Sequence, residues 1–206
     1  AVLVATDPGR RPAATLAAVA GDEAADVPGP KLDEVRVWFE TADAHDVMSG
    51  VVVTPDRVLF GTLHTHAIRG NKGAVFCVDR ATAKEVWRFT ADGKMLPAFA
   101  TPAVVGGQVF AGEGLHTDAG CRLFRLDAAT GQPSWATPVG TTSHTEGSPT
   151  VADGKVYFAA GDDGLFCVRE VDGREVWHVK GGPDAKLHVD TPPAVEIAAG
   201  WPKSVS

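Results

Sequence analysis

The sequence predicts an all-β protein, a β-propeller built of four-stranded antiparallel blades, and three observations predict it. A step of eleven residues from Phe to Trp occurs three times, running from Phe76 to Trp87, from Phe124 to Trp135 and from Phe166 to Trp177. The Trp-to-Trp spacings are 48 and 42 residues, and a weaker ending, Glu34-Val-Arg-Val-Trp38, precedes Trp87 by 49. Self-similarity at a period of roughly 40–50 residues marks an array of supersecondary units instead of one irregular domain. Each period is also filled by apolar runs of three to five residues separated by turn residues, which leaves no space for a helix of ten.

Residues 1–44 carry the weakest pattern. Val2-Leu-Val4 has the composition of a strand, and Pro12 to Ala20 followed by Gly21 predicts a short helix, with Pro near its start and Gly past its end. Asp22 to Lys31 is an Asp/Ala/Pro-rich loop, so 1–44 reads as a partial blade or a linker carrying that helix. A first blade is expected over 45–91, opening with Val51-Val-Val53, Pro55-Asp56 and Val58-Leu-Phe60. A second, over 97–139, opens with Thr101 to Val105, Gly106-Gly107 and Val109-Phe-Ala111. The third, over 144–181, opens with Ser148 to Val151, Asp153-Gly154 and Val156-Tyr-Phe158. Gly-Gly, Asp-Gly and Pro-Asp between short apolar runs are hairpin turns, because those residues accept the dihedrals a tight reversal needs. The Phe-to-Trp frame then supplies a third strand, a turn and a fourth strand. Residues 187–206, with Pro192-Pro-Ala-Val-Glu-Ile197, read as the first strand of a truncated blade. The prediction is therefore an incomplete arc of about three full blades with partial blades at both ends.

One blade is too small to cover its own two faces, so successive blades must pack on each other. A Trp buries on the order of 150–250 Å² and needs an acceptor for its indole N–H, which suits a recurring blade-to-blade contact.

The segments Leu126-Asp-Ala-Ala-Thr-Gly131-Gln-Pro-Ser-Trp135 and Gly154 to Val168 resemble the tryptophan-docking repeats of the pyrroloquinoline-quinone-type (PQQ-like) propeller family. The resemblance covers about residues 45–195, with Ala83 in place of the turn glycine in the first copy and Arg169 in place of the aspartate in the third. WD repeats are a poorer match, since no blade ends in Trp-Asp. The resemblance implies structural docking roles for Trp38, Trp87, Trp135 and Trp177, with Gly131 and Gly173 at the turns. It also implies a closed ring of more blades than this chain holds, so that missing blades would be needed to complete it. Such families comprise periplasmic quinoprotein dehydrogenases and BamB-like assembly lipoproteins, which implies a periplasmic or cell-envelope location.

Composition sets further limits. A net charge of −7 argues against a nucleic-acid partner, which requires a basic face. No apolar run approaches the roughly 18 residues of a membrane-spanning helix. Cys77 and Cys167 occupy the same slot in two blades and are expected to pack as small apolar residues, with Cys121 making no C-x-x-C pair.

In an up-and-down blade, the first and third turns share one end, and the middle loops and blade-to-blade crossovers share the other. Length varies only at the second end: 15 residues separate Phe60 from Phe76, 13 separate Phe110 from Phe124, and 7 separate Phe158 from Phe166. Insertions collected on one face of an array mark its working face. His45, His64, His66, His116, His144 and His188 fall there. Four have a carboxylate close by, giving the pairs His45/Asp46, His116/Asp118, His144/Glu146 and His188/Asp190. These eight residues form a candidate ligand or metal face, since imidazole and carboxylate bind divalent ions and neighbouring acids tune histidine near neutral pH. The alternative is that each pair orders its loop by a hydrogen bond. His64 and His66 lie in a Gly/Asn/Lys-rich insertion and are expected to be solvated. No catalytic residue is assignable.

Two functions follow from the resemblance. One is a non-catalytic scaffold that binds a protein partner or small ligand on the loop face. The other is part of a quinoprotein alcohol or sugar dehydrogenase, for which PQQ and Ca²⁺ would be the cofactors. No vicinal cysteine pair of the kind some quinoprotein dehydrogenases carry is present.

Overall fold

The computed structural model describes residues 37–41, 45–64, 72–115, 118–138, 144–180 and 188–194. The strand expected at residues 2–4, the helix expected over 12–20, His66 and His116 lie outside these residues. The chain divides into two compact units, Ala1–Val37 and Trp38–Ser206, and the second holds every element that follows.

Thirteen strands are present among the described residues, and all pair antiparallel within three sheets. The first sheet has β1 (His45–Val47) and β2 (Val52–Val53) as two pieces of one inner strand beside β3 (Arg57–His64), followed by β4 (Lys72–Asp79) and β5 (Glu85–Phe89). The second runs β6 (Ala103–Val105), β7 (Gln108–Gly112), β8 (Arg122–Asp127) and β9 (Pro133–Pro138). The third runs β10 (Thr150–Ala152), β11 (Lys155–Ala159), β12 (Leu165–Arg169) and β13 (Glu175–Val179). Sequential, four-stranded and helix-free among the described residues, these sheets form an incomplete β-propeller arc.

Local chemistry explains the hairpins. Gly106 and Gly107 (φ +57° and +76°) and Asp153 and Gly154 (φ +50° and +68°) each form a two-residue connection with both central residues left-handed. That geometry matches the natural twist of the flanking strands. The first blade has no such pair at Pro55-Asp56, and Thr54 closes the reversal instead: its amide donates to the Arg57 carbonyl at 2.9 Å, and its hydroxyl accepts the Arg57 amide at 3.0 Å. Every blade also carries a bulge between its third and fourth strands, between Cys77 and Val78, Arg125 and Leu126, and Cys167 and Val168. The extra residue re-aims the outer strand just before its Trp, since one inserted residue bends a strand and raises its twist.

The Trp side chains lie between sheets. The Trp87 indole N–H donates to the Ala128 carbonyl of the second blade at 3.0 Å, and Trp135 donates to the Glu170 carbonyl of the third at 3.0 Å. Each ring lies against the turn glycine of the following blade, so closely that a Cβ on Gly131 would come within 2.6 Å of Trp87 and one on Gly173 within 2.9 Å of Trp135. Trp177 and Trp38 are 39% and 44% exposed, so neither is covered in this way.

Two apolar cores fill the junctions. Leu59, Val75, Cys77, Trp87 and Phe89 of the first blade meet Val109, Ala111, Phe124 and Leu126 of the second. Phe110 and Leu123 of the second blade meet Val156, Phe158, Phe166 and Val168 of the third. A third cluster, Val58, Phe60, Ala74, Phe76 and Val78, covers the opposite face of the first blade, where Phe39 packs on it. The register of the second blade differs from the others: Phe60 faces Phe76 and Phe158 faces Phe166, but Phe124 faces Ala111 while Phe110 pairs with Arg125. Phe110 therefore turns toward the third blade, on the same side as Trp135 of its own blade, 6.1 Å away between ring centroids. Cys77, Cys121 and Cys167 are all buried free thiols, and burial pushes the thiol of Cys77 up to about 11 and of Cys121 up to about 12.

Inner strands are tied directly to their neighbours. The Gly50 amide donates to the Thr101 hydroxyl at 3.0 Å, and the Thr101 amide donates to the Ser148 hydroxyl at 2.9 Å.

Candidate site where successive crossovers meet

The two ends of the arc differ in kind. At the turn end, one contact repeats in all three blades: the amides of Arg80, Ala128 and Glu170 donate to the carbonyls of Asp56, Gly107 and Gly154 at 3.0, 2.9 and 2.9 Å. At the loop end the first two crossovers share a backbone contact, while the side chains around it and the third crossover differ. The Ala98 amide donates to Thr62, the Thr145 amide and hydroxyl both donate to the Glu113 carbonyl, and Gly161 and Val189 exchange amide hydrogen bonds in both directions.

Glu113 organises the junction of the first two blades. Its carboxylate is wholly buried, receives the Leu96 amide at 2.9 Å and is gripped by Arg122 at 2.5 and 3.2 Å. Burial raises its pKa against the lowering effect of Arg122. No motif surrounds this glutamate in the sequence, and its place just past β7 is the only sign of it.

The main cluster lies where the crossover into the third blade meets the crossover leaving it. Nε2 of His144 is 3.0 Å from Oδ1 of Asp190, and Nε2 of His188 is 2.7 Å from Oδ2 of the same carboxylate. The other ring nitrogen of His188 is 2.7 Å from Oδ1 of Asp162, which comes from the loop joining β11 to β12. With a carboxylate at each ring nitrogen, the protonated form of His188 is favoured. Its pKa is raised by the hydrogen bond to Asp162 first and to Asp190 second. His144 is buried, and its ring lies against Gly161, where a Cβ would come within 2.8 Å of Cε1. Only glycine lets the backbone approach the imidazole so closely. The two rings are 5.9 Å apart between centroids.

The other sequence-predicted residues are arranged differently. Glu146 is 3.9 Å from His144 Nε2, farther than Asp190, so the nearer acid comes from the next crossover and not from two residues along. Asp118 accepts the Leu115 amide at 2.8 Å and orders its own loop. His45 lies 2.9 Å from the Thr62 hydroxyl, which itself donates to the Ala74 carbonyl and so accepts from Nδ1–H. Asp46 is exposed on β1; adjacent strand residues point to opposite faces, which keeps it from converging with His45. His64, expected to be solvated, is 7% exposed. β3 continues four residues beyond Phe60 and pairs with β1, placing the His64 ring 4.8 Å from that of His45 in a T-shaped contact. Asp162 joins the cluster from an Asp-Asp-Gly turn whose local sequence signals only a chain reversal.

The donor set decides which cation these residues suit. Ca²⁺ takes six to eight oxygen ligands, whereas the cluster of His144, His188 and Asp190 offers two imidazole nitrogens and one carboxylate within 4.8 Å. Trp87 and Trp135 are committed to blade junctions. The cluster of His144, His188 and Asp190 is therefore not a donor set for Ca²⁺.

A repeating four-stranded blade with an outer-strand Trp against the next turn defines a propeller of the PQQ-like class. The family profile described as outer membrane protein assembly factor BamB matches residues 31–135 and 115–201, and the chain belongs to this family. No curated protein matches the sequence. Among solved structures, BamB from Moraxella catarrhalis is similar over 73% of this chain and 44% of its own, with 19% identity and a TM-score of 0.54. The quinohemoprotein alcohol dehydrogenase of Comamonas testosteroni is similar over 69% of this chain and 22% of its own, with 19% identity and a TM-score of 0.55. The computationally designed Ika4 protein is similar over 79% of this chain and 88% of its own, with 13% identity and a TM-score of 0.58. The chain thus spans less than half the length of the two natural proteins, and at these identities the likeness is one of fold. No helix among the described residues is long and apolar enough to cross a membrane.

Proposed function

We propose that the chain is part of a non-catalytic β-propeller scaffold of the bacterial cell envelope, which binds a protein partner or a small ligand through its loop end. The observation that carries this reading is the asymmetry of the ends. One end repeats a single backbone contact in every blade, while the other presents loops of different length, each with its own side-chain chemistry. In this reading Trp87 and Trp135 act as tryptophan-docking residues that keep the arc rigid, and further blades complete the ring. Trp177, half-uncovered on β13, offers the same contact to a following blade.

Site-specific photo-crosslinking in cells tests the proposal. A crosslinker at Asp118 or Glu146 on the loop end is expected to capture one discrete protein or ligand, while one at Thr82 or Ala129 on the turn end captures none. Equal labelling from both ends would refute the scaffold reading. The quinoprotein reading predicts instead that PQQ and Ca²⁺ are retained on dialysis and support dye reduction with alcohols or sugars. That result would replace the scaffold by an oxidoreductase.

A further inference from the structure

We infer that His144, His188 and Asp190 form a binding site for a borderline divalent transition ion of the zinc class, which ties the two crossovers flanking the third blade. Four observations support it. The ligand atoms already converge, with Nε2 of both histidines and the Asp190 carboxylate within 4.8 Å of one another. Both imidazoles present Nε2 to the same carboxylate, at 3.0 and 2.7 Å, so an ion entering between them takes the place of the two hydrogen bonds to Asp190. Asp162 fixes Nδ1 of His188 at 2.7 Å, which is the outer-sphere carboxylate that zinc-bound histidines use to set the tautomer and ring angle. Finally, His144 is held by the backbone of Gly161 on a bridge, through Val189, to the very segment that carries His188 and Asp190.

Ligand type selects the ion. Two imidazoles and a carboxylate suit Zn²⁺, Co²⁺, Ni²⁺ and Cu²⁺, and are too few and too nitrogen-rich for Ca²⁺ or Mg²⁺. Glu146, 3.9 Å from His144 Nε2, stands near enough to supply a fourth ligand in a tetrahedral site. Because binding displaces ring protons, uptake releases protons to solvent and weakens as pH falls. The site joins residues 44 positions apart in the chain, so its effect is structural: it fastens the exit of the third blade to its entry.

Isothermal titration of the full chain with ZnCl₂ and, separately, CaCl₂ tests the inference. One Zn²⁺ per chain is expected, with a raised thermal midpoint, while Ca²⁺ gives neither. Co²⁺ is expected to show the d–d absorption of a tetrahedral nitrogen–oxygen site. His188→Gln, at a partly exposed position, should abolish stoichiometric binding. Asp162→Asn, which touches no ion directly, should weaken it by about 10–100-fold. Equal Zn²⁺ binding by wild type and His188→Gln, or no binding by a wild type whose circular dichroism shows it folded, would overturn the inference. Should His188→Gln not fold, the Asp162→Asn affinity decides alone, and an unchanged value there refutes the site.

Discussion

At the residue scale, one turn position shows how a single methyl group governs a blade junction. Gly131 has φ +72° and sits beneath the Trp87 ring. Gly131→Ala would put a methyl group 2.6 Å from that ring in a left-handed backbone, so overpacking and dihedral strain act together. A loss of about 2–4 kcal/mol is expected in urea unfolding. Ala83 holds the equivalent turn position at φ +55° and already bears that methyl group. Ala83→Gly should be nearly neutral, because relief of left-handed strain and the added freedom of the unfolded chain are both about 1 kcal/mol and oppose each other. The turn glycines are legible in the sequence because the frame repeats. Asp162 is not, because its partner His188 lies 26 residues downstream and no local spacing reveals the pair.

Among elements, the turn between third and fourth strands is closed by two different chemistries. In the first two blades, Oδ1 of Asp79 and Asp127 accepts two backbone amides and the hydroxyl of Thr82 or Thr130. In the third, Arg169 stands in the aspartate's place and pairs with Asp172, which replaces the threonine. The threonine hydroxyl is the largest cause that lowers the pKa of Asp79 and Asp127, so the folded state binds their protons more weakly than the unfolded state. Their contribution is complete above the ordinary aspartate range near pH 4 and is lost as pH falls through the lower folded values. The protection factors of the Thr82 and Thr130 amides are therefore expected to fall in acid, read by NMR against the amides of the β7–β8 ladder. The composition of these turns was readable as reversal chemistry. The burial of His64 was not, because strand length there is set by pairing with β1 and not by the Gly/Asn/Lys content of the segment that follows.

For the whole molecule, stability resides in the junctions between blades. Trp87 is 8% exposed and Trp177 is 39% exposed, although both end the same frame. Trp87→Ala should cost about 3–5 kcal/mol, and Trp177→Ala about 1 kcal/mol or less, since its ring is 39% exposed and, among the described residues, meets Tyr157 on its own sheet. Paired denaturation curves measure the difference; equal costs would mean that the indoles stabilise their own sheets and not the contacts between them. The arc itself was legible because a period this strong survives irregular loops. The candidate site was legible in part: the His-x-acid spacing picks out His144, His188 and Asp190, while the convergence of two crossovers on one carboxylate depends on blade geometry that spacing alone does not contain.

The ladder of Gly50, Thr101 and Ser148, together with the indole–carbonyl contacts, gives the second blade a hook on one side and an eye on the other. Tandem duplication of one such segment would deliver a newcomer already matched to both neighbours. Growth or shrinkage of the array by gene copying then requires no fresh interface to be invented.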